Sequence, residues 1–221
     1  MTVHMKNEIE KLKKRLLALC AQVEEQLWQA VKSIKESNSD LACEVIDYDS
    51  QIDKEEVDIE EECLKILALY QPVAIDLRFI VTALKINNDL ERISDLSVNI
   101  AERSQFLSNH PPVATPFDFE IMAEKTQMML RKSIDALVNI DTDLAYEVCA
   151  MDDEVDAINR QMYDLVKDCI LKQPEHIESF IHLLSVSRHL ERIGDHATNI
   201  AEDVIYMAEG KIVRHKTESY E

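Results

Sequence analysis

Between Ile9 and Ile34 the apolar residues Ile9, Leu12, Leu16, Leu19, Val23, Leu27, Val31 and Ile34 are separated by steps of three and four. Such steps return a side chain to one stripe of a 3.6-residue helix, so the segment is an amphipathic helix made to face other helices. It is predicted to run to about Ser37. In Ser37-Asn38-Ser39-Asp40, side-chain oxygens can accept from free backbone N–H groups, so a second helix starts there and continues to about Tyr70. Proline cannot continue a helix. Pro72 therefore separates this element from a third, about Val73 to Leu107, which Asn109-His110-Pro111-Pro112 stops.

The third helix recurs. Residues 85–103, KINNDLERISDLSVNIAER, align with 185–203, SVSRHLERIGDHATNIAED, with nine identities in 19 positions at a constant offset of 100. Asp40-Leu41-Ala42 with Glu44-Val45 returns as Asp143-Leu144-Ala145 with Glu147-Val148, and Gln71-Pro72 returns as Gln173-Pro174. The chain is thus an internal duplication. Three amphipathic helices with short connections make an up-down-up bundle, so the fold class is all-α, two tandem pseudo-symmetric three-helix bundles. The first bundle is expected over 1–108, a Pro-rich linker over 109–117, the second bundle over 118–210 and a tail over 211–221. Gly210 is read as the residue just past the last helix.

Composition narrows the function. With only two glycines in 221 residues, neither a dinucleotide-binding nor a P-loop glycine motif can be written. Lys plus Arg number 24 against 43 Asp plus Glu, a formal net charge of -19, which repels nucleic-acid phosphates and anionic lipid. No run approaches the roughly 18 apolar residues of a membrane span. The charged N-terminus has no apolar signal region, and five cysteines form no C-x-x-C pair. The expectation is a cytoplasmic protein with reduced core cysteines. Trp28 and the methionines are read as packing residues, and His4, His110, His176, His182 and His215 as incidental.

The candidate chemistry is in paired acids. On a helical wheel Glu91, Asp95, Asn99 and Glu102 lie roughly opposite Leu90, Ile93, Ser97 and Ile100, and Glu191, Asp195, Asn199 and Glu202 repeat the arrangement, so these acids are expected to face outward. Like charges four residues apart are mildly unfavourable on a free helix surface. A second pair of the same kind, Asp49 and Asp53, borders the stripe of Ile46, Ile52, Ile59 and Cys63, and Asp152 with Asp156 matches it in the second copy. If helices two and three are neighbours, four carboxylates converge in each bundle. At about 4 Å two such charges repel by about 1 kcal/mol in water and about four times that at an effective dielectric of 20. Arg92, Arg192 or a bound cation could offset this. Carboxylate oxygens suit hard ions such as Mg²⁺, Mn²⁺, Ca²⁺ or iron, with Asn99 and Asn199 as added carbonyl ligands or supports. Zinc is less natural, although His189 and His196 lie near the second set. Any single acid pair in so acidic a chain is most simply a solvated face; recurrence in both copies is what raises it to a candidate site.

LERISDLSVNIAE and LERIGDHATNIAE, with Gln71-Pro72 followed by Asp76-Leu77-Arg78, closely resemble the PhoU family, regulators of phosphate uptake in bacteria and archaea. The resemblance spans about residues 5–208. It implies multinuclear metal clusters, iron or zinc in some members, on the E/D-x-x-x-D pairs: Glu91, Asp95, Glu191 and Asp195 first, then Asp49, Asp53, Asp152 and Asp156. It also implies a homodimer or higher oligomer, and negative regulation through the phosphate ABC transporter ATPase and a sensor histidine kinase. Ser94 stands where the family's glycine is expected, and Leu96 where the second copy has His196, so the two sites can differ. Two alternatives remain open at the level of sequence. A carboxylate-metal enzyme is one, but no Glu lies three residues before any of the seven histidines, as the Glu-x-x-His of di-iron bundles requires. The other is a structural scaffold or metal buffer.

Overall fold

A computed structural model describes residues 3–113 and 119–213. Six helices follow one another: α1 (Val3–Lys35), α2 (Ser39–Tyr70), α3 (Ala74–Ser108), α4 (Phe119–Asn139), α5 (Thr142–Lys172) and α6 (Ile177–Glu209), with a 3₁₀ turn at Pro174–His176 leading into α6. There is no strand among the described residues. The second half of the expected linker, from 114, and most of the expected tail, from 214, lie outside the described residues, as does His215.

Local chemistry sets the helix boundaries, and it does so twice. Helix α1 stops at Lys35, short of the expected Ser37, because Ser37 takes a left-handed backbone with φ 48°. Asn38 then caps α2, its side-chain oxygen accepting from the Leu41 N–H at 3.0 Å. At the α4–α5 turn Ile140 has φ 53° and Asp141 accepts from the Leu144 N–H at 3.1 Å. Gly210 ends α6 with φ 72°, its N–H bonded to Tyr206 O at 2.9 Å, as a left-handed cap requires.

Helices α1–α3 form one bundle and α4–α6 the other, but the two are not separate bodies. Helix α3 packs on α1, α2 and α6, while α6 packs on α4, α5 and α3, and α1 also touches α4. Two tandem bundles would be free to build one small core each. Instead, buried residues from Met5 on α1 through Leu90 and Ile93 on α3 to Leu190 and Ile200 on α6 form one continuous apolar cluster. A smaller cluster of Met162, Val166, Phe180 and Leu183 fills the far end of the second bundle.

Two packing expectations need correction. Trp28 is not a core residue: it is 47% exposed in a groove between α1 and α4, with Lys32 Nζ 4.7 Å from its ring centre. Met128, 48% exposed, lines the same groove. All cysteines are free thiols, but only Cys20, Cys63 and Cys149 are buried, and Cys43 is exposed.

Candidate metal-binding seams

The second and third helices of each bundle are neighbours, and their acid pairs lie near enough to the shared seam to act on one another's charge. In the first bundle Ser94 Oγ on α3 lies 2.6 Å from Asp49 Oδ1 on α2 and 2.6 Å from Gln26 Oε1 on α1. A hydroxyl has one proton, so the donation goes to one acceptor at a time, and the carboxylate makes the stronger bond. Glu91 is pushed above the usual carboxylate range by burial first and then by Asp95, with Glu56 and Asp53 adding to the effect and Arg92 opposing it. Asp53 is raised by burial and by Asp49 and Asp95. Those mutual effects place all four expected carboxylates of this half in one electrostatic cluster. Arg92 caps it, with Nη1 3.1 Å from Asp95 Oδ2 and Nε 3.3 Å from Glu91 Oε2. That second approach lacks hydrogen-bond geometry, leaving Glu91 Oε2 buried without a donor.

The second bundle repeats the arrangement with harsher electrostatics. Asp152 is pushed up to about 6, by burial first and then by Asp195 and Asp156. Glu191 is raised by burial, Asp195 and Asp156, and Asp195 by burial and Asp156, against the pull of His196 and Arg192. Here the hydroxyl is missing, because Gly194 replaces Ser94. A Cβ at Gly194 would stand 3.6 Å from Asp152 Oδ1 and 3.6 Å from Met129 Cε, ordinary contact distances. A mid-helix glycine costs about 0.5–1 kcal/mol relative to alanine. Gly194→Ala is therefore expected to stabilise the protein by about that much, seen as a higher urea midpoint at unchanged slope. A lowered midpoint would mean that the close approach of α6 to Asp152 cannot spare a methyl group.

The acids face outward only in part: Asp95 keeps 42% of its side-chain surface and Glu102 is exposed, as the helical wheel suggests, but others are drawn into the seam. Glu91 keeps only 23% of its side-chain surface, and Asp152, Asp156 and Glu191 are half-buried; Asp53 and Asp195 are exposed. The reason is that α3 and α6 are covered on three sides, so the face opposite one apolar stripe still meets a neighbouring helix. Among the described residues, no three histidine, cysteine or acidic side chains stand close enough to hold one ion as they are placed.

Several supporting ligands considered from sequence are engaged elsewhere. His196 Nδ1 lies 2.8 Å from Asp89 Oδ1 on α3, and Asn199 donates to the same oxygen at 3.2 Å. Asn99 donates to the Asp95 backbone carbonyl at 2.7 Å. One carboxylate was missed: Glu56 adds to the charge at Glu91 and accepts from Asn87 Nδ2 at 3.1 Å. Its counterpart, at the offset of 103 that relates Asp53 to Asp156, is Asn159, bonded by Ser187 at 2.7 Å. Aligning the second helices at their own offset would have exposed Glu56 as an acid peculiar to the first half.

Two homologous helix triplets, each with an acid-lined seam between its second and third helix, define a class of tandem three-helix-bundle protein. The PhoU domain matches the chain twice, at residues 16–104 and 119–204. A phosphate-specific transport system accessory protein PhoU homolog of Aquifex aeolicus is 40% identical over 95% of this chain and 95% of its own. The Pseudomonas aeruginosa homolog is 36% identical over 94% of this chain and 86% of its own. Among solved structures, PhoU from Pseudomonas aeruginosa superposes with a TM-score of 0.89 at 35% identity, covering 93% of this chain and 99% of that one. The phosphate transport system regulatory protein PhoU from Streptococcus pneumoniae gives 0.83 at 26% identity, covering 95% and 99%. The chain belongs to the PhoU family.

Proposed function

We propose that this chain is a metal-loaded cytoplasmic adaptor that restrains high-affinity phosphate uptake. The relatives' names, accessory proteins of a phosphate-specific transport system, support the phosphate role. The observation that carries the metal is the doubled grouping of carboxylates, Asp49, Asp53, Glu91 and Asp95 in one half and Asp152, Asp156, Glu191 and Asp195 in the other, each raised, where a shift is resolved, by burial first and then by its neighbours' charge. The donor set fits a hard cation: it is all oxygen, and Glu91 Oε2 is buried with no donor of its own. With His196 directed to Asp89, oxygen donors favour iron, manganese or magnesium over zinc. A cation would supply the positive charge that Arg92 and Arg192 provide only at the rim.

Partner contact is proposed to run through a transporter ATPase and a sensor histidine kinase, with the chain acting as a homodimer. No helix among the described residues is long and apolar enough to cross a membrane, so attachment to a transporter would be through its soluble parts. An enzymatic role lacks the Glu-x-x-His donors a di-iron bundle uses.

The test is elemental analysis of protein purified without chelator or nickel resin, beside a variant with all eight carboxylates changed to Asn or Gln. Metal in the parent and none in the variant is expected, together with capture of the ATPase or kinase by the parent from phosphate-replete cells. Equal metal in both would sink the site assignment. Capture of neither partner would sink the adaptor reading.

A further inference from the structure

Helices α3 and α6 cross antiparallel about a pseudo-twofold axis, and contacts at both ends share one register. Lys85 Nζ meets Asp203 Oδ1 at 3.0 Å and lies 5.2 Å from the Tyr206 ring centre, whereas at the other end Phe106 stacks on His182 with ring centres 3.7 Å apart. Residue n of α3 is related to n plus 100 of α6, so the Lys85–Asp203 pair has its mate in Ser185 and Arg103, and the Asp89–Asn199 pair in His189 and Asn99.

The two halves of this seam are chemically opposite. One holds two buried acids, Asp89 and Asp203, answered by Lys85, His196 and Asn199. In the mate Asp203 becomes Arg103, Asp89 becomes His189, and position 182 adds a further imidazole; no carboxylate stands at 103, 182, 185 or 189. Arg103 gives one amino group to Glu102 on its own helix, at 3.4 Å, and its Nε is buried without an acceptor. His182 Nδ1 and His189 Nδ1 are also buried and unpartnered. Buried nitrogens are normally hydrogen-bonded, and a cluster of them points to something not in the chain.

We propose that the Arg103, His182 and His189 end of the α3/α6 seam binds a small oxyanion such as inorganic phosphate, which takes the place that Asp89 and Asp203 fill at the other end. The site is separate from the carboxylate seams and does not rest on their holding metal. Arg103 supplies a fixed charge and a guanidinium edge that matches an oxyanion. Each imidazole can donate one N–H while neutral, so no titration is needed. The register that pairs Lys85 with Asp203 and Phe106 with His182 sets Arg103 opposite Ser185, with His182 and His189 one turn to either side of it on α6. After burial, Arg103 is the first charge to lower either imidazole, with His110 adding to the effect at His182 and Arg192 and Arg188 at His189. Glu178 is the acid that acts on His182 from the rim, opposing this.

The experiment uses the full chain, freed of metal by chelation and dialysed from phosphate. Titration with inorganic phosphate at constant ionic strength is expected to give saturable binding and to shift the imidazole NMR signals of His182 and His189. Arg103→Gln is expected to weaken that binding by about tenfold or more, the scale of a lost charge-assisted hydrogen bond. Arg15→Gln removes the same charge from α1, where Arg15 pairs with Glu55, Asp58 and Glu62, and is expected to leave affinity unchanged. Should Arg103→Gln fold poorly, His182→Gln is the second variant, with the same loss expected. Absence of saturable binding, or equal loss in the Arg103 and Arg15 variants, would overturn the proposal. So would phosphate binding that appears only when metal is restored and disappears with Asp95→Asn and Asp195→Asn. Because the assay is metal-free, a failure of the metal reading leaves its outcome untouched.

Discussion

Leu190→Ala is expected to cost the whole chain about 3–4 kcal/mol of unfolding free energy, within the range seen when a buried leucine is cut to alanine. Leu190 is fully buried on α6 and belongs to the apolar cluster that runs from α1 to α6. A cavity there removes contacts from a core shared by both bundles, so the loss should not be confined to the second. The single tryptophan, Trp28, sits on α1 in the groove against α4, and reports on the first bundle together with that contact. In urea, Trp28 fluorescence and far-UV circular dichroism are expected to move together to a lower midpoint, with one calorimetric transition. Two bundles that fold separately would behave otherwise. If the Trp28 midpoint stayed at its parental value while the circular dichroism split into two steps, the continuous core would not be a cooperative unit.

The helices were legible because their signals are local. Threes and fours between Ile9 and Ile34, the acceptor at Asn38 and the glycine at 210 each act within a turn or two of where they stand, and the structure places helix ends within a few residues of them. Duplication was legible for the same reason, since a constant offset needs no knowledge of space. What pairs across the copies has no such period. Nothing local marks Asp89 as a functional residue of α3, yet it is 8% exposed and engages His196 and Asn199 of a helix more than 100 residues away. The same long-range contact took those two residues out of the candidate metal shell. The half-burial of Glu91, Asp152 and Glu191 escaped the wheel for a related reason. A helical wheel has one inside and one outside, whereas a helix packed against three others has a surface that is mostly seam. The repeat singles out the recurring carboxylate pairs; how closely they approach one another and how deeply they are buried depend on packing that the repeat does not encode.

In metal-free protein, Asp152→Asn is expected to raise stability at pH 7 by on the order of 2 kcal/mol, and this gain should reverse when metal is supplied. Asp152 rises from 3.8 to about 6 on folding, because burial, Asp195 and Asp156 disfavour its charged form by more than the Thr198 hydroxyl favours it. Above its unfolded value the folded state therefore holds a proton that the unfolded state has released, and stability falls as pH rises. Below about pH 4 both states are protonated and the penalty is absent; it grows through the interval up to about pH 6 and is constant beyond. A shift of about two units corresponds to roughly 3 kcal/mol, reduced here to allow for water reaching a half-buried group. Asparagine keeps the shape and removes the charge, so the gain should be negligible at pH 3.5, where folding permits measurement, and complete by pH 7. Adding a divalent cation stabilises the parent by RT ln(1 + [M]/Kd), about 2.7 kcal/mol at a hundred times Kd, and the variant forgoes most of it. Urea midpoints of the two proteins, with chelator and with metal, decide the matter. A variant less stable than the parent in chelator at pH 7 would show that Asp152 already has a favourable partner within the protein, and the seam would then need no ion to hold its carboxylates together.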